Sequence, residues 1–228
     1  MSPVKKQQIE DLTQPLESIQ AVEPQLPSIV NDHIIQGDSC LDGGCYSEAI
    51  DSYDRAIQIQ PSNFEAWIGK GRALRQLKKY EEALDIYTKL TEIRSDDANA
   101  WNGKGNTLNS LKLYQEALEC FEKSIQIDSS YYDPWVNRSR SLDMLERYEE
   151  AEASLNKAIE IAAEKPQAYQ NKAFHYAALK NVDLSVENLR KAINLDPSSL
   201  NDGMLSASFF DPIREDDQFK QLVSSYSQ

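Results

Sequence analysis

The three tryptophans of the sequence, Trp67, Trp101 and Trp135, follow one another at intervals of 34 residues. The same step reaches Tyr169 in one direction and His33 in the other. An interval that recurs in this way indicates a chain assembled from copies of one supersecondary element. Each copy then packs only on its neighbours, which excludes a single closed core.

Four further columns follow the 34-residue step, and they alternate between small and large side chains. In chain order they are Gly37, Gly71, Gly105, Ser139 and Ala173; Tyr46, Tyr80, Tyr114, Tyr148 and Val182; Ala49, Ala83, Ala117, Ala151 and Ser185; and Tyr53, Tyr87, Phe121, Leu155 and Leu189. Each period also contains two stretches with the apolar spacing of an amphipathic helix. We therefore expect pairs of helices in which a large side chain lies over a small residue of the partner helix. The tryptophan rings are expected to pack as core residues between helices.

In these columns the chain resembles the tetratricopeptide repeat family, whose 34-residue repeat places Trp, Gly, Ala and an aromatic residue at fixed offsets. The resemblance implies an all-α fold, a right-handed α-solenoid of five helix-turn-helix repeats with C-terminal capping helices. With Trp as position 4, the repeats are residues 30–63, 64–97, 98–131, 132–165 and 166–199. The pattern weakens at both ends, where His33 replaces the first Trp and Ala173 the last Gly.

The two ends of the chain depart from the repeat. Residues 1–29 contain four prolines and are predicted to form a mobile N-terminal extension. Within it, Ile9, Leu12, Leu16 and Ile19 have the spacing of one helical face, so a docking motif is the alternative to a disordered leader. Residues 200–228 resemble the closing segment of bacterial arrays of this family. There we expect Phe209, Phe210 and Ile213 to cover the last repeat.

Composition restricts the classes of partner. The net charge of −13 argues against nucleic acid, which requires a basic surface. The sequence lacks a long apolar stretch and an N-terminal apolar signal core, so we expect no membrane insertion and a soluble, cytoplasmic protein. The three cysteines, Cys40, Cys45 and Cys120, form no CxxC pair, so neither a disulfide framework nor a metal site is indicated.

Few residues suggest catalysis. The two histidines, His33 and His175, lie about four repeats apart and cannot share a metal or a base role; His33 stands in the tryptophan column and is interpreted as a packing residue. Gly103-Lys104-Gly105 looks like part of a phosphate loop, but Gly69-Lys70-Gly71 repeats it one period earlier. Known nucleotide, zinc-protease and nucleophile-elbow motifs are lacking. We therefore predict a protein that is not an enzyme and has no cofactor.

The family resemblance implies that the first helix of each pair lines a concave groove through positions 2, 5, 6, 9, 12 and 13 of the repeat. Amide side chains there suit an extended peptide, because they both donate and accept hydrogen bonds. Arginines add sites for carboxylates. The groove residues predicted are Arg72, Arg75, Asn99, Asn102, Asn106, Asn109, Asn137, Arg140, Gln170, Asn171 and Phe174.

The alternative to a binding groove is a merely solvated polar face. Four Asn between residues 99 and 109 favour the groove, because Asn is a mediocre helix former. The carboxylate clamp of chaperone cofactors is disfavoured, since Asn102, Gln167 and Asn171 stand at its cationic positions. We therefore predict an adaptor or assembly factor that binds a peptide or helix of another protein, one with a carboxylate being favoured. The alternative is a structural module that self-associates through its convex face or its N-terminal segment.

Overall fold

The computed structural model describes residues 26–199 and 208–226, which contain eleven α-helices and no strand. The hydrophobic segment from Ile9 to Ile19 and residues 200–207 lie outside the described residues. Ten of the helices are α1 (Leu26–Asp42), α2 (Tyr46–Ile59), α3 (Phe64–Gln76), α4 (Tyr80–Ile93), α5 (Ala98–Ser110), α6 (Tyr114–Ile127), α7 (Tyr132–Met144), α8 (Tyr148–Ile161), α9 (Pro166–Ala178) and α10 (Val182–Leu195). Two short 3-10 helices, Pro197–Ser199 and Ser208–Phe210, precede α11 (Asp217–Tyr226).

Successive helices pack as helical hairpins, which confirms the predicted all-α repeat fold. We call the odd-numbered helices α1 to α9 first helices and the even-numbered helices α2 to α10 second helices. Contacts divide the described residues into an N-terminal body, which ends at Leu90, and a C-terminal body, which begins at Thr91. Within the N-terminal body α1 contacts α3, and within the C-terminal body α7 contacts both α5 and α9. Helix α1 starts at Leu26, four residues before the first predicted repeat.

The predicted packing of large rings over small residues is present in both bodies. A Cβ atom built on Gly37 would lie 2.6 Å from the ring of Tyr53, and Gly69 of the following first helix meets the same ring. Gly105 faces Phe121 in the same way, at 2.6 Å. Both rings are fully buried. The glycines are needed because helix and ring approach more closely than any side chain permits.

Each hairpin turn contains a residue in the left-handed region, with φ between 56° and 78°. In the third repeat this residue is Lys112, whose N–H donates to Asn109 O at 3.0 Å, while Leu113 N–H donates to Leu108 O at 2.9 Å. These two bonds form a Schellman motif, which satisfies carbonyl groups at the end of the first helix. The left-handed residues recur at the repeat interval and are Gly44, Lys78, Lys112, Glu146 and Lys180.

The tryptophan rings pack at the edge of the core and are not fully buried: Trp135 contacts the buried cluster that contains Ala158 and Ala168, but all three rings are only half-buried. Their indole N–H groups donate to backbone carbonyls six residues earlier, at 2.9 Å for Trp67 and Pro61 and 3.1 Å for Trp135 and Ser129. Those carbonyls belong to the loops that join one repeat to the next. The tryptophan column therefore braces these loops, since an indole combines a large apolar surface with one donor.

The C-terminal segment covers the end of the last hairpin. Phe210, Ile213, Phe219 and Leu222 are buried in one cluster with residues of α9 and α10. Phe210 and Ile213 therefore cover the last repeat as predicted. Phe209 also packs on the last repeat, through Phe174, but it remains 46% exposed.

Candidate interaction surface

In the C-terminal body, the predicted groove positions lie on three neighbouring first helices, α5, α7 and α9. We call this set of positions the inner face. Asn102 of α5, one of the predicted groove residues, is only 7% exposed. It accepts a hydrogen bond from the Asn137 amide of α7 at 3.0 Å and donates to Tyr131 Oη at 3.1 Å. Asn102 and Asn137 thus join α5 to α7 across the inner face.

Two further polar pairs connect successive first helices. The Ser141 hydroxyl of α7 donates to Asn109 Oδ1 of α5 at 2.8 Å. His175 Nδ1 of α9 lies 2.6 Å from Asp143 Oδ1 of α7, and the imidazole is 1% exposed. Both pairs are separated by 32 residues, from position 12 of one repeat to position 10 of the next. Ser141 and His175 are buried, and their partners Asn109 and Asp143 are half-buried. Polar groups that satisfy each other in this way fix the relative position of the helices they join.

The remaining inner-face amides of the C-terminal body are more accessible. Asn99 is exposed, whereas Asn106, Gln170 and Asn171 are half-buried. The amide of Asn171 donates to the Gln167 carbonyl of its own helix at 2.7 Å. These side chains lie on helices whose spacing is fixed by the polar pairs between α5, α7 and α9. The surface is therefore preorganised for a ligand.

Arg140 and Phe174, both predicted groove residues, meet the C-terminal segment. The ring of Phe209 lies 4.9 Å from the ring of Phe174, and the Arg140 guanidinium lies 5.9 Å from the centre of the Phe209 ring. Phe174 also contacts Phe210, at 5.0 Å between centroids. The inner face of the C-terminal body therefore ends in an aromatic stack beside an arginine, within the distance of a cation–π interaction.

In the N-terminal body, the predicted groove residues are Arg72, which is exposed, and Arg75, which is half-buried. The Tyr53 hydroxyl donates to Asp38 Oδ1 at 2.7 Å. Burial is the main reason that the pKa of Tyr53 is raised; Asp38 and Asp42 raise this pKa further, whereas Arg72 opposes the shift. Arg72 consequently shares its surroundings with two acidic groups of the same body.

Sequence reasoning did not find the pairing of Asp143 with His175 or the position of Phe209 beside Arg140. The first has a signal in the sequence, namely complementary polar residues 32 apart, which occurs twice in the C-terminal body. In the N-terminal body the same spacing joins Leu41 and Ala73, which lie in one apolar cluster. The position of Phe209 has no such signal, because the C-terminal segment does not follow the repeat.

Residues 26–199 and 208–226 contain no cluster of three or more His, Cys, Asp or Glu side chains suited to a metal ion. Over the same residues, every helix falls short of the length and apolar character that crossing a bilayer requires.

Family models for the tetratricopeptide repeat match residues 41–106, 98–131, 132–165 and 166–199. The matched segments extend over more than half of the chain, and the protein belongs to the tetratricopeptide repeat family. Proteins of this family bind other proteins, and the fold generally serves as a non-catalytic scaffold for such interactions. This chain is a protein-interaction repeat scaffold.

Solved structures show the same fold at low sequence identity. A thermophilic tetratricopeptide repeat protein of Thermus thermophilus superposes with a TM-score of 0.72 at 17% identity, over 87% of this chain and 97% of that chain. A MamA fragment from Desulfovibrio magneticus gives 0.58 at 20% identity, over 75% and 96% of the two chains. Another MamA structure gives 0.56 at 19% identity, over 75% and 94%. No curated protein matches the sequence.

Proposed function

We propose that this protein is an adaptor or assembly factor whose inner face binds a peptide or helix of another protein. The observation that supports this most directly is the set of polar pairs, each with one buried member, that join α5, α7 and α9, such as Asn102 with Asn137. These pairs fix the spacing of three helices that together present amide side chains. Binding to a surface already in place loses little conformational entropy.

The side chains of the inner face suit a polypeptide ligand. Asn99 and Asn106 each carry both a donor and an acceptor, which is what an extended backbone requires. Arginine adds a fork of donors that matches a carboxylate. A partner segment with a carboxylate is therefore favoured over a wholly apolar one.

We also propose that the chain has no catalytic role of its own. His175 is the histidine of the C-terminal body, and its burial against Asp143 removes it from contact with a substrate. The thiol of Cys120 is buried as well, and this burial raises its pKa to about 11, which disfavours the nucleophilic thiolate. Histidine and cysteine are the residue types that most often act as catalytic base and nucleophile, and in this body both side chains are held in the interior.

The proposal is tested by capturing partners from native lysate on three immobilised forms of the full chain. One form is wild type, the second, the inner-face variant, has Asn106 and Arg140 of the inner face replaced by Ala, and the third has the exposed second-helix residues Glu119 and Lys123 replaced by Ala. We expect the inner-face variant to lose proteins that the other two forms retain. Equal recovery by the inner-face variant would show that binding occurs elsewhere.

A second candidate, self-association, is favoured by exposed apolar residues at the C-terminal ends of the second helices. Ile93 is 73% exposed and Ile127 39%, and both occupy the same repeat position. Apolar side chains exposed at the same position of successive repeats are candidate contacts for a second copy. Sedimentation equilibrium over a wide concentration range decides between the candidates, since a monomer throughout eliminates self-association.

A further inference from the structure

The turn that joins α1 to α2 contains two of the three cysteines of the chain, Cys40 and Cys45. Its backbone forms the same Schellman motif as the turn of the third repeat. Cys45 N–H donates to Cys40 O at 2.8 Å, and Gly44 N–H donates to Leu41 O at 3.2 Å. Gly44 adopts the left-handed conformation that this motif needs, with a φ of 78°. Cys40 and Cys45 are therefore the two end residues of one hydrogen-bonded turn.

The two end positions of a Schellman motif bring side chains together, and an apolar contact between them commonly accompanies the motif. The third repeat has Leu108 and Leu113 at these positions, and Leu113 N–H donates to Leu108 O at 2.9 Å. The first repeat has cysteine in place of both leucines, and the other three repeats have cysteine at neither position. The paired cysteines thus occupy a site where the fold places two side chains next to each other.

The hydrogen bond between the two residues limits their separation. Standard bond lengths and angles, added to the 2.8 Å hydrogen bond, place the two Cα atoms at most about 6.7 Å apart. Disulfides join residues whose Cα atoms are about 4.4 to 6.8 Å apart. Cys45 Sγ is also turned toward the loop, where it donates to Gly43 O at 3.9 Å. Two consecutive glycines give this turn the backbone freedom to adjust the position of the sulfurs.

The pair is accessible to a small reagent. Cys45 is exposed and Cys40 half-buried, whereas Cys120 is buried. Gly43 stands where the other four repeats have leucine, which leaves that part of the turn without a side chain. An accessible cysteine next to a second, resolving cysteine is the arrangement in which thiol oxidation ends in a reversible disulfide.

We propose that Cys40 and Cys45 are a redox modification site, at which a low-molecular-weight disulfide converts the two thiols into one reversible intramolecular disulfide. The Cys45 thiolate attacks the reagent and breaks its S–S bond, which releases one thiolate and leaves a mixed disulfide on Cys45. The Cys40 thiolate then attacks Cys45 Sγ, forms the bond between the two cysteines and expels the second reagent thiolate. The two released thiolates take up the protons that the cysteines lose, so the protein is oxidised and the reagent is reduced. The new bond ties the last turn of α1 to the start of α2.

The test exposes the reduced full chain to excess glutathione disulfide, quenches the reaction with acid and measures the intact mass. Wild type should lose two hydrogen atoms and retain no glutathione, and dithiothreitol should restore the original mass. Peptide mapping should find Cys40 joined to Cys45 and Cys120 unmodified. Cys40→Ser is the matched control; it lacks the resolving thiol and should retain one glutathione on Cys45. The folded protein should close the bond at least about tenfold faster than the chain unfolded in urea, because the turn holds the two thiols close together.

Several results would overturn the proposal. A stable glutathione adduct on wild-type Cys45 would show that Cys40 does not reach it, and a wild-type protein that stays fully reduced would show that the pair is not accessible. Disulfide-linked dimers as the main product would make Cys45 a contact between copies. Slower closure in the folded protein than in urea would show that the turn holds the sulfurs apart. The wild-type product alone distinguishes closure from an adduct, so the decision requires no variant to fold and does not depend on what the inner face binds.

Discussion

The ring of Phe121 lies so close to the backbone of Gly105 that a Cβ atom there would be 2.6 Å away. The same relationship joins Tyr87 to Gly71, at 2.9 Å. In the last two repeats the glycine of the first helix and the aromatic residue of the second helix are both replaced. These repeats combine Ser139 with Leu155 and Ala173 with Leu189. A larger first-helix residue thus occurs where the second helix has a smaller, non-aromatic one, as close packing requires.

Gly105→Ala should therefore destabilise the protein by about 1 to 3 kcal/mol, because the added methyl group overpacks the contact with Phe121. The double variant with Phe121→Leu should recover part of this loss, since it copies the leucine of the fourth repeat. Urea unfolding of wild type, both single variants and the double variant gives the coupling free energy. Strictly additive effects would contradict a direct contact.

The turn residue Lys112 adopts a φ of 64°, a conformation in which glycine has no steric penalty. Lys112→Gly should increase the free energy of unfolding by about 0.5 to 1 kcal/mol, because relief of strain exceeds the added entropy of the unfolded chain. The matched control is Gly44→Ala at the equivalent turn, where φ is 78° and stability should fall. Thermal unfolding followed by circular dichroism measures both changes, and a stabilising Gly44→Ala would refute the explanation.

His175→Ala should destabilise the C-terminal body by about 2 to 4 kcal/mol, because it opens a cavity and leaves the partner of a buried hydrogen bond unsatisfied. The partner is Asp143, 2.6 Å from the imidazole. Asp143→Asn retains the shape and an acceptor and should have a smaller effect. Exposed Asp133→Asn serves as the control with the same chemical change. If all three variants unfold at the wild-type urea concentration, the pair does not hold α7 to α9.

The cysteines should react in the order of their exposure. Cys45 is exposed, Cys40 half-buried and Cys120 buried. Burial raises the pKa of the Cys120 thiol from 9.0 to about 11, so its neutral form is favoured in the folded state. The contribution of the neutral Cys120 thiol to the free energy of unfolding is therefore fully present below the pKa of the unfolded state. It is lost as the pH rises through the higher pKa of the folded state.

A chromogenic disulfide reagent at mildly alkaline pH should therefore modify Cys45 first and Cys120 only after unfolding in urea. Cys120→Ser identifies the slow signal. Rapid modification of all three thiols in the native protein would contradict the burial of Cys120.

Phe210→Ala should cost about 3 to 5 kcal/mol, the range for removing a buried aromatic side chain. Phe210 lies in one cluster with Val186 and Leu189 of α10 and with Phe219 of α11. Deleting residues 200–228 should expose this apolar surface and promote aggregation, which size-exclusion chromatography detects. The neighbouring Phe209→Ala is the control and should lose less stability, since that ring is already half-exposed. A monodisperse truncated protein would show that the segment is not a cover.

Much of the fold follows from columns of the sequence, since helix pairs with rings such as Tyr53 over glycines were predictable from the 34-residue period. The candidate surface was predictable only as a set of positions. Asn102, Asn106 and Asn109 are the same type of residue on one helix. Asn102 bonds to Asn137 and Asn109 to Ser141 of α7, and Asn106 is a half-buried residue of the inner face. Sequence position assigns a residue to a helix face, but its partner on the next helix depends on how the helices are spaced.

The sequence alone determined the repeat, the helix pairs and the small-to-large packing, because these depend on local periodicity and on side-chain volume. The tertiary structure decided that the tryptophans brace loops and that Asp143 meets His175. It also placed Phe209 next to Arg140. The contacts of Asp143 and Phe209 join residues of different helices or of a segment outside the repeat, and such proximity arises only when the chain is folded. Each tryptophan N–H reaches a loop carbonyl six residues earlier, and this contact depends on how the loop enters the helix.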